Sequence, residues 1–166
     1  MRIVELWNTD LKQSYALFNT FPKEENGFVN NAYGYTFEKF IDYVCAKAEN
    51  SKSRNLQKGF VPDTVYILIN DDEKYVGIFN FRHYLNEFLR DGPGHIGYGI
   101  SPEYRGKGYA SKGLSLVLDV ARKIIPEDEI YLECFKTNKA SLQVQLHNGA
   151  YIHHETDDHY LTRIKK

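Results

Sequence analysis

Arg105-Gly106-Lys107-Gly108-Tyr109-Ala110 sets two cations, two glycines and a small residue between the apolar run Ile96 to Ile100 and a long amphipathic stretch. It reads as the turn that joins a strand to a helix. The first N–H groups of a helix have no partner within it, and the aligned peptide dipoles put partial positive charge there. Gly106, Gly108 and Ala110 keep large side chains out of the way, while Arg105 and Lys107 add local positive charge. Such a turn can hold an anionic group such as a phosphate. The alternative is a glycine-rich connection that only turns the chain. Two other phosphate motifs fail. A Walker-type loop needs a hydroxyl after its Gly-Lys, and here Lys107 is followed by Gly108. Gly92-Pro93-Gly94-His95-Ile96-Gly97 matches Gly-x-Gly-x-x-Gly, but it precedes a strand where a dinucleotide fingerprint follows one.

Titratable side chains flank the turn. His95 and Tyr98 belong to the strand before it, and His83 and Glu133 to other predicted strands. Each is a side-chain type that can accept or donate a proton in catalysis, and each could equally be a hydrogen-bonded structural group. His153, His154, Glu155, Asp157, Asp158 and His159 have the composition of metal ligands. A hairpin turn separates them and no second cluster accompanies them, so they read as exposed turn residues, and no metal is expected. Cys45 and Cys134 are too few for a disulfide framework. Cys45 falls on a helical stripe and Cys134 alternates with Leu132 and Ile130, so both read as packed thiols.

The 166 residues suit one domain, residues 1–166, with its own core. A net charge of −1, from 21 basic and 22 acidic residues, provides no broad field for nucleic acid or anionic lipid, so an anion site must be local. The 13 Tyr and 10 Phe suit a large core and an aromatic-lined cleft. Met1 to Glu5 meets charge too early for a secretory signal, and no apolar run approaches the ~18 residues of a membrane span. A soluble cytoplasmic protein is expected.

The elements that must position these groups follow from periodicity. Arg2 to Leu6 reads as a strand, and Thr9 or Asp10 caps a helix with Leu11, Tyr15 and Phe18 inward. Lys23 to Tyr35 lacks a period and reads as a loop. After Thr36, Phe37, Phe40, Ile41, Val44, Cys45 and Ala48 mark a second helix. Thr64 to Asn70 and Tyr75 to Tyr84 form a hairpin, and Leu85 to Asp91 is a connector. Beyond Gly108, Ala110, Leu114, Val117, Leu118, Ala121, Ile124 and Ile125 share one helical face. Glu129 to Phe135 then returns as a strand, which implies a βαβ unit with parallel strands. Asn138 caps a helix to about His147, and a hairpin closes the chain around Thr156 to Asp158. The fold class is mixed α/β, a central sheet of about six to seven strands with about four helices.

With these elements in place the turn resembles a known signature. Arg105 to Ala110 is similar to the Gln/Arg-x-x-Gly-x-Gly/Ala motif of the Gcn5-related N-acetyltransferase (GNAT) superfamily. Gly97 to Glu103 resembles that family's fourth strand and loop. Asn138, Ser141, Val144 and Gly149 resemble its later block, in which an Asn opens a helix that ends at a Gly. The likeness covers residues 94–155. Arg82-His83, Leu85-Asn86 and the run Gly94 to Tyr98 are most similar to a poorly characterised bacterial branch.

The resemblance implies acetyl-CoA as co-substrate, with its pyrophosphate on the backbone from Arg105 to Ala110 and Ser111 at the helix start. It implies pantetheine alongside Tyr98, Gly99 and Ile100 at a splay in the sheet, and Asn138 and Ser141 near the sulfur. The implied reaction is transfer of an acetyl group to a primary amine of a small molecule or peptide, by direct attack in a ternary complex. Cys134 then need not be a nucleophile. Gln145 stands seven residues after Asn138, where many members carry the Tyr proposed to protonate the thiolate. That departure leaves the acid unassigned, and it keeps open a catalytically inactive acyl-CoA-binding sensor. A phosphate-ligand module unrelated to CoA is the third reading. Partners are expected to be the amine substrate and, in a homodimer, a second copy; a monomer is equally compatible.

Overall fold

The computed structural model describes residues 1–54 and 56–166. Its centre is β4 (Asp63–Ile69), every residue of which is buried, flanked by β1 (Arg2–Glu5) and β5 (Tyr75–Arg82). β6 (Ile96–Ile100) adds the fourth strand, and the order β1-β4-β5-β6 is antiparallel throughout. An unbroken apolar strand needs cover on both faces, and β4 has it. Tyr66 and Leu68 join Phe79 and Phe81 against Leu114, Val117, Leu118 and Ala121 of α4 (Tyr109–Ile124). Val65, Ile67 and Ile69 turn the other way, onto Leu17 and Phe18 of α1 (Leu11–Phe18) and Phe40 and Val44 of α2 (Phe37–Ser51). The period of two along β4 therefore builds two cores, and each fully buried Leu, Ile or Phe contributes about 1.5–3 kcal/mol.

Both early helices start where expected. Asp10 accepts N–H bonds from Lys12 and Gln13, and Thr36 accepts one from Lys39. α2 nevertheless rolls away from the expected stripe. Tyr43, packed among the rings of Phe18, Tyr35 and Phe40, and Lys47, paired with Asp63, take inward positions. Ile41 and Cys45 are consequently exposed, so Cys45 is not a core thiol. Ile124, on the last turn of α4, is exposed as well.

Two segments read as irregular hold structure. Glu24–Glu25 and Phe28–Val29 form a short ribbon, β2 and β3, around Asn26 (φ 50°) and Gly27 (φ 84°). That pair of positive φ angles makes the tight hairpin turn that Asn-Gly favours. Asn86 caps a single helical turn, α3 (Glu87–Arg90), inside the 85–91 connector. With α5 (Lys139–His147), five α-helices are present among the described residues, one more than expected.

The chain ends in a second sheet section. β7 (Glu129–Phe135), β8 (Tyr151–Glu155) and β9 (His159–Lys165) pair antiparallel in the order β7-β9-β8. The seven main strands are thus divided four and three. Among the described residues the parallel ladder expected between β6 and β7 is absent: the two segments meet at one antiparallel bridge, Gly94 with Leu132, supported by His95 N–H to the Tyr131 carbonyl at 2.7 Å. No helix among the described residues is long and apolar enough to cross a membrane.

A candidate active site at the splay of the sheet

Gly94 fixes the point of separation. Its φ is +66°, and a Cβ there would lie 2.2 Å from the Tyr131 carbonyl oxygen, so only glycine permits the contact. Beyond it Ile96–Ile100 and Glu133–Phe135 line opposite walls of one cleft, about 570 Å³ in volume. That bridge is antiparallel and isolated, and beyond it the two strands form no ladder with each other. A strand edge left open by such a splay offers unpaired backbone groups to a ligand.

One end of the cleft is the glycine-rich turn. Gly106 (φ +74°) and Gly108 (φ +77°) hold left-handed conformations, and a Cβ at either would meet nothing within 4 Å. Gly108 is the N-cap of α4 and supplies no side-chain cap. Among the described residues, the N–H groups of Gly106 to Ser111 donate to no protein acceptor, and the helix's bonds begin at Lys112 N–H to the Gly108 carbonyl. The free row starts one residue later than expected, since Arg105 N–H donates to the Pro102 carbonyl at 3.4 Å.

The cations of the turn are used internally. The Arg105 guanidinium grips both Glu25 oxygens (3.1 and 2.5 Å) and donates to the Ile100 carbonyl at 2.9 Å. Lys107 donates to the Glu103 carbonyl, lies 5.3 Å from the Tyr104 ring centre, and does not line the cleft. Arg105 is a clasp between the turn and the β2–β3 ribbon. Positive potential at the cleft mouth thus comes chiefly from backbone N–H groups and the α4 dipole.

The middle of the cleft carries Tyr98, Cys134, Asn138 and Ser141. Tyr98 stacks on Phe79 (5.5 Å), and its hydroxyl lies 3.0 Å from Ser141 Oγ. Burial pushes the Tyr98 phenol up to about 12 and the Cys134 thiol up to about 11. At pH 7 that leaves roughly one Cys134 in ten thousand as thiolate, which is poor for a nucleophile. Asn138 Oδ1 caps α5 through Ser141 N–H at 3.1 Å, so its orientation is fixed by the helix start. Gln145 is fully buried: its amide donates to the Glu133 carbonyl and Ser141 Oγ, and its oxygen accepts from Thr162 Oγ1 at 2.7 Å. It ties α5, β7 and β9 together and holds the serine that faces Tyr98.

Two expected acid–base candidates lie elsewhere. The His95 side chain is 0% exposed, outside the cleft lining. Its Nδ1 accepts from Tyr131 N–H at 2.9 Å, which places the ring proton on Nε2, facing Glu127 at 3.2 Å. Both ring nitrogens are occupied, and burial lowers its pKa. His83 follows Arg82 and turns to the opposite side, where Nε2 pairs with Thr64 Oγ1 at 2.8 Å; burial lowers its pKa too. Neither histidine can reach a molecule in the cleft without breaking these bonds.

Glu133 does line the cleft, and it meets a group not expected there. His159, at the start of β9, sits opposite Phe135 in register, packs on its ring at 4.3 Å, and reaches Glu133 Oε1 at 3.8 Å. Its Nδ1 pairs with Asp158 at 2.7 Å. Burial raises the Glu133 pKa, against the opposing influence of His159. Phe21, Phe28 and Arg82 complete this end. In sequence His159 is one of several polar residues around a hairpin turn, and its pairing with β7 separates it from exposed His153 and His154. The Asn26-Gly27 dipeptide was a legible signal for the ribbon that brings Phe28 and Glu25 to the cleft.

Comparison with known proteins agrees with this geometry. The model of the acetyltransferase (GNAT) domain matches residues 36–151. No curated protein matches the chain. Among solved structures, the Campylobacter jejuni N-acetyltransferase PseH in complex with acetyl coenzyme A superposes with a TM-score of 0.65 at 12% identity, over 99% of this chain and 98% of that one. A Vibrio cholerae spermidine N-acetyltransferase SpeG chimera gives 0.65 at 17%, over 98% and 93%. The ribosomal-protein-S5-alanine acetyltransferase of Vibrio fischeri gives 0.62 at 20%, over 98% and 86%. The glycine-rich turn at the head of α4, the splay it faces and the matched domain lead to one conclusion: the chain belongs to the GNAT family of acetyltransferases.

Proposed function

We propose that this chain transfers the acetyl group of acetyl-CoA to a primary amine of a small molecule or peptide, by direct attack while both are bound. The observation that carries the proposal is the row of unpartnered N–H groups from Gly106 to Ser111 opening onto the cleft between β6 and β7. The row suits a pyrophosphate: it offers several donors to clustered oxygens, and the two glycines leave room for it. The open edge of β6 at Tyr98 to Ile100 suits an amide-bearing arm, and it directs the thioester toward Tyr98, Asn138 and Ser141. The PseH complex with acetyl coenzyme A supports the choice of co-substrate, and the spermidine and alanine enzymes support an amine acceptor.

The chemistry divides along the cleft. An alkylammonium must lose a proton before its nitrogen can attack the carbonyl carbon. Glu133 and His159 receive that proton, and Asp158 holds the imidazole so that Nε2 faces the cleft. The C–N bond forms as the C–S bond breaks, and the proton shed by the new amide balances the one taken up by the thiolate. Tyr98, protonated across the neutral range, is the hydroxyl positioned to supply it. Cys134 stays a thiol, in keeping with transfer without an acyl-enzyme.

Calorimetry with acetyl-CoA and CoA, followed by thiol release with an amine library, tests the proposal. Micromolar binding with amine-dependent thiol release is expected. Binding with no release from any amine would favour the inactive acyl-CoA sensor, and no binding of either cofactor would remove both readings.

A further inference from the structure

Arg82, at the end of β5, makes no ion pair among the described residues. Its cross-strand partner on β4 is Asp63, which in an antiparallel pair projects to the same face. That carboxylate is taken by Lys47 of α2. Among the described residues no carboxylate lies within 4.0 Å of the Arg82 guanidinium, and its one hydrogen bond runs from Nη1 to the Gly94 carbonyl at 3.0 Å. A guanidinium carries five N–H donors, so most of its donors remain available. Burial is severe enough to lower its pKa, with Asp63 and Glu133 only partly offsetting it. An arginine held half-buried in a cleft wall with its donors free is costly unless a ligand completes it.

Its position gives the ligand's chemistry. Arg82 lines the cleft with Gly97, Glu133, Phe135 and His159, at the end away from the phosphate-type turn. The other arginine of the cleft, Arg105, is neutralised by Glu25. Among the described residues, the acceptor end therefore presents a cation, Arg82, and a carboxylate, Glu133, that lie more than 4.0 Å apart and form no ion pair with each other. A zwitterion matches this arrangement, its anion on Arg82 and its amine at Glu133 and His159. The planar fork of a guanidinium fits a carboxylate in bidentate fashion. A phosphate dianion would meet more repulsion from Glu133 and Asp158 than a carboxylate monoanion does. A polyamine would place surplus positive charge beside Arg82.

We propose that the acceptor is a small primary amine that also carries a carboxylate, an amino-acid-like molecule whose carboxylate is read by Arg82. The inference rests on the acetyl-transfer reading above and names its substrate class. The test compares matched pairs that differ only in the carboxylate: tyrosine with tyramine, histidine with histamine, lysine with cadaverine, with spermidine and phosphoethanolamine alongside. Thiol release at saturating acetyl-CoA gives kcat/KM, and calorimetry in the presence of CoA gives binding without turnover. At least one carboxylate member should exceed its decarboxylated partner roughly tenfold or more. In Arg82→Gln that preference should fall to about one, with Arg82→Lys between the two. An unchanged acetyl-CoA Kd in both variants would show that the cleft remains folded. Equal or better use of tyramine, histamine, cadaverine or spermidine would overturn the inference and leave acetyl transfer standing. Preference for phosphoethanolamine, a carboxylate preference that survives Arg82→Gln, or binding of no probe would each overturn it as well. Loss of acetyl-CoA binding by the wild-type chain would instead overturn the reading beneath it.

Discussion

Gly108→Glu places a carboxylate where the proposed pyrophosphate sits, at a position with nothing within 4 Å to clash with. The folding cost comes from the backbone. A residue with a Cβ at φ +77° loses about 1–2 kcal/mol relative to glycine. An acidic group at the N-terminus of α4 returns about 0.3–1 kcal/mol through the dipole. A net loss of ~1 kcal/mol in a chain of this size lowers Tm by about 2–4 °C. The binding cost is larger. At about 6 Å and an effective dielectric of ~20, each like-charge pair costs about 2.8 kcal/mol, which before screening is about a hundredfold in affinity. Gly108→Ala has the same backbone cost without the charge, so the difference between the variants isolates electrostatics. Thermal unfolding and acetyl-CoA calorimetry on all three proteins supply the readings. A Gly108→Glu protein that melts within a few degrees of wild type and still binds acetyl-CoA at wild-type affinity would refute the phosphate-turn assignment.

Three other outcomes follow from the geometry. Gly94→Ala would drive a Cβ into the Tyr131 carbonyl at the bridge between the sheet sections, so Tm should fall by about 4–10 °C in calorimetric scans, and an unchanged Tm would contradict the role of that bridge. His95 and His83 have pKa values lowered by burial, so below pH 6.5 the unfolded chain binds more protons than the folded one. Stability should therefore be level above that pH and decline as pH falls below it, with a shallower decline in His95→Gln; a flat urea-denaturation profile between pH 7 and 5 would contradict this. Glu133→Gln and His159→Gln should each lower kcat/KM about 10²–10⁴-fold and move or flatten the acid limb of the pH–rate profile, whereas untouched profiles in both would exclude the pair as proton acceptor.

Much of the fold lies in local periodicity. The stripe from Leu114 to Ala121, the apolar run of β4, the alternation in β7, and the caps at Asp10, Thr36 and Asn138 all act within one element, and all appear in the structure. The departures arise where a choice depends on a distant partner. Tyr43 and Lys47 turn inward on α2 because Phe18, Tyr35 and Asp63 wait for them, and Cys45 is displaced to the surface. The divergence of β6 from β7 depends on one glycine meeting one carbonyl across about forty residues, a contact that no spacing rule encodes.

The candidate site divides in the same way. Its turn is contiguous in sequence, and Gly106 to Ser111 was legible there. Its other end is assembled from β2–β3, β5, β7 and β9, so Arg82 and His159 emerge only from register. His83 and His95 carried suitable chemistry on suitable strands. Sequence alone does not tell which face or which partner a residue near a strand end adopts, and both turn away from the cleft. His95 in particular serves as a strut between Tyr131 and Glu127.

The most direct test is a ¹H–¹⁵N amide titration of the assigned protein with acetyl-CoA. The largest shifts should fall on Gly106 to Ser111 and along Tyr98 to Ile100, marking the two stretches of backbone proposed to hold the cofactor. Saturable binding with those amides unmoved, or with the shifts gathered on another face, would contradict the account.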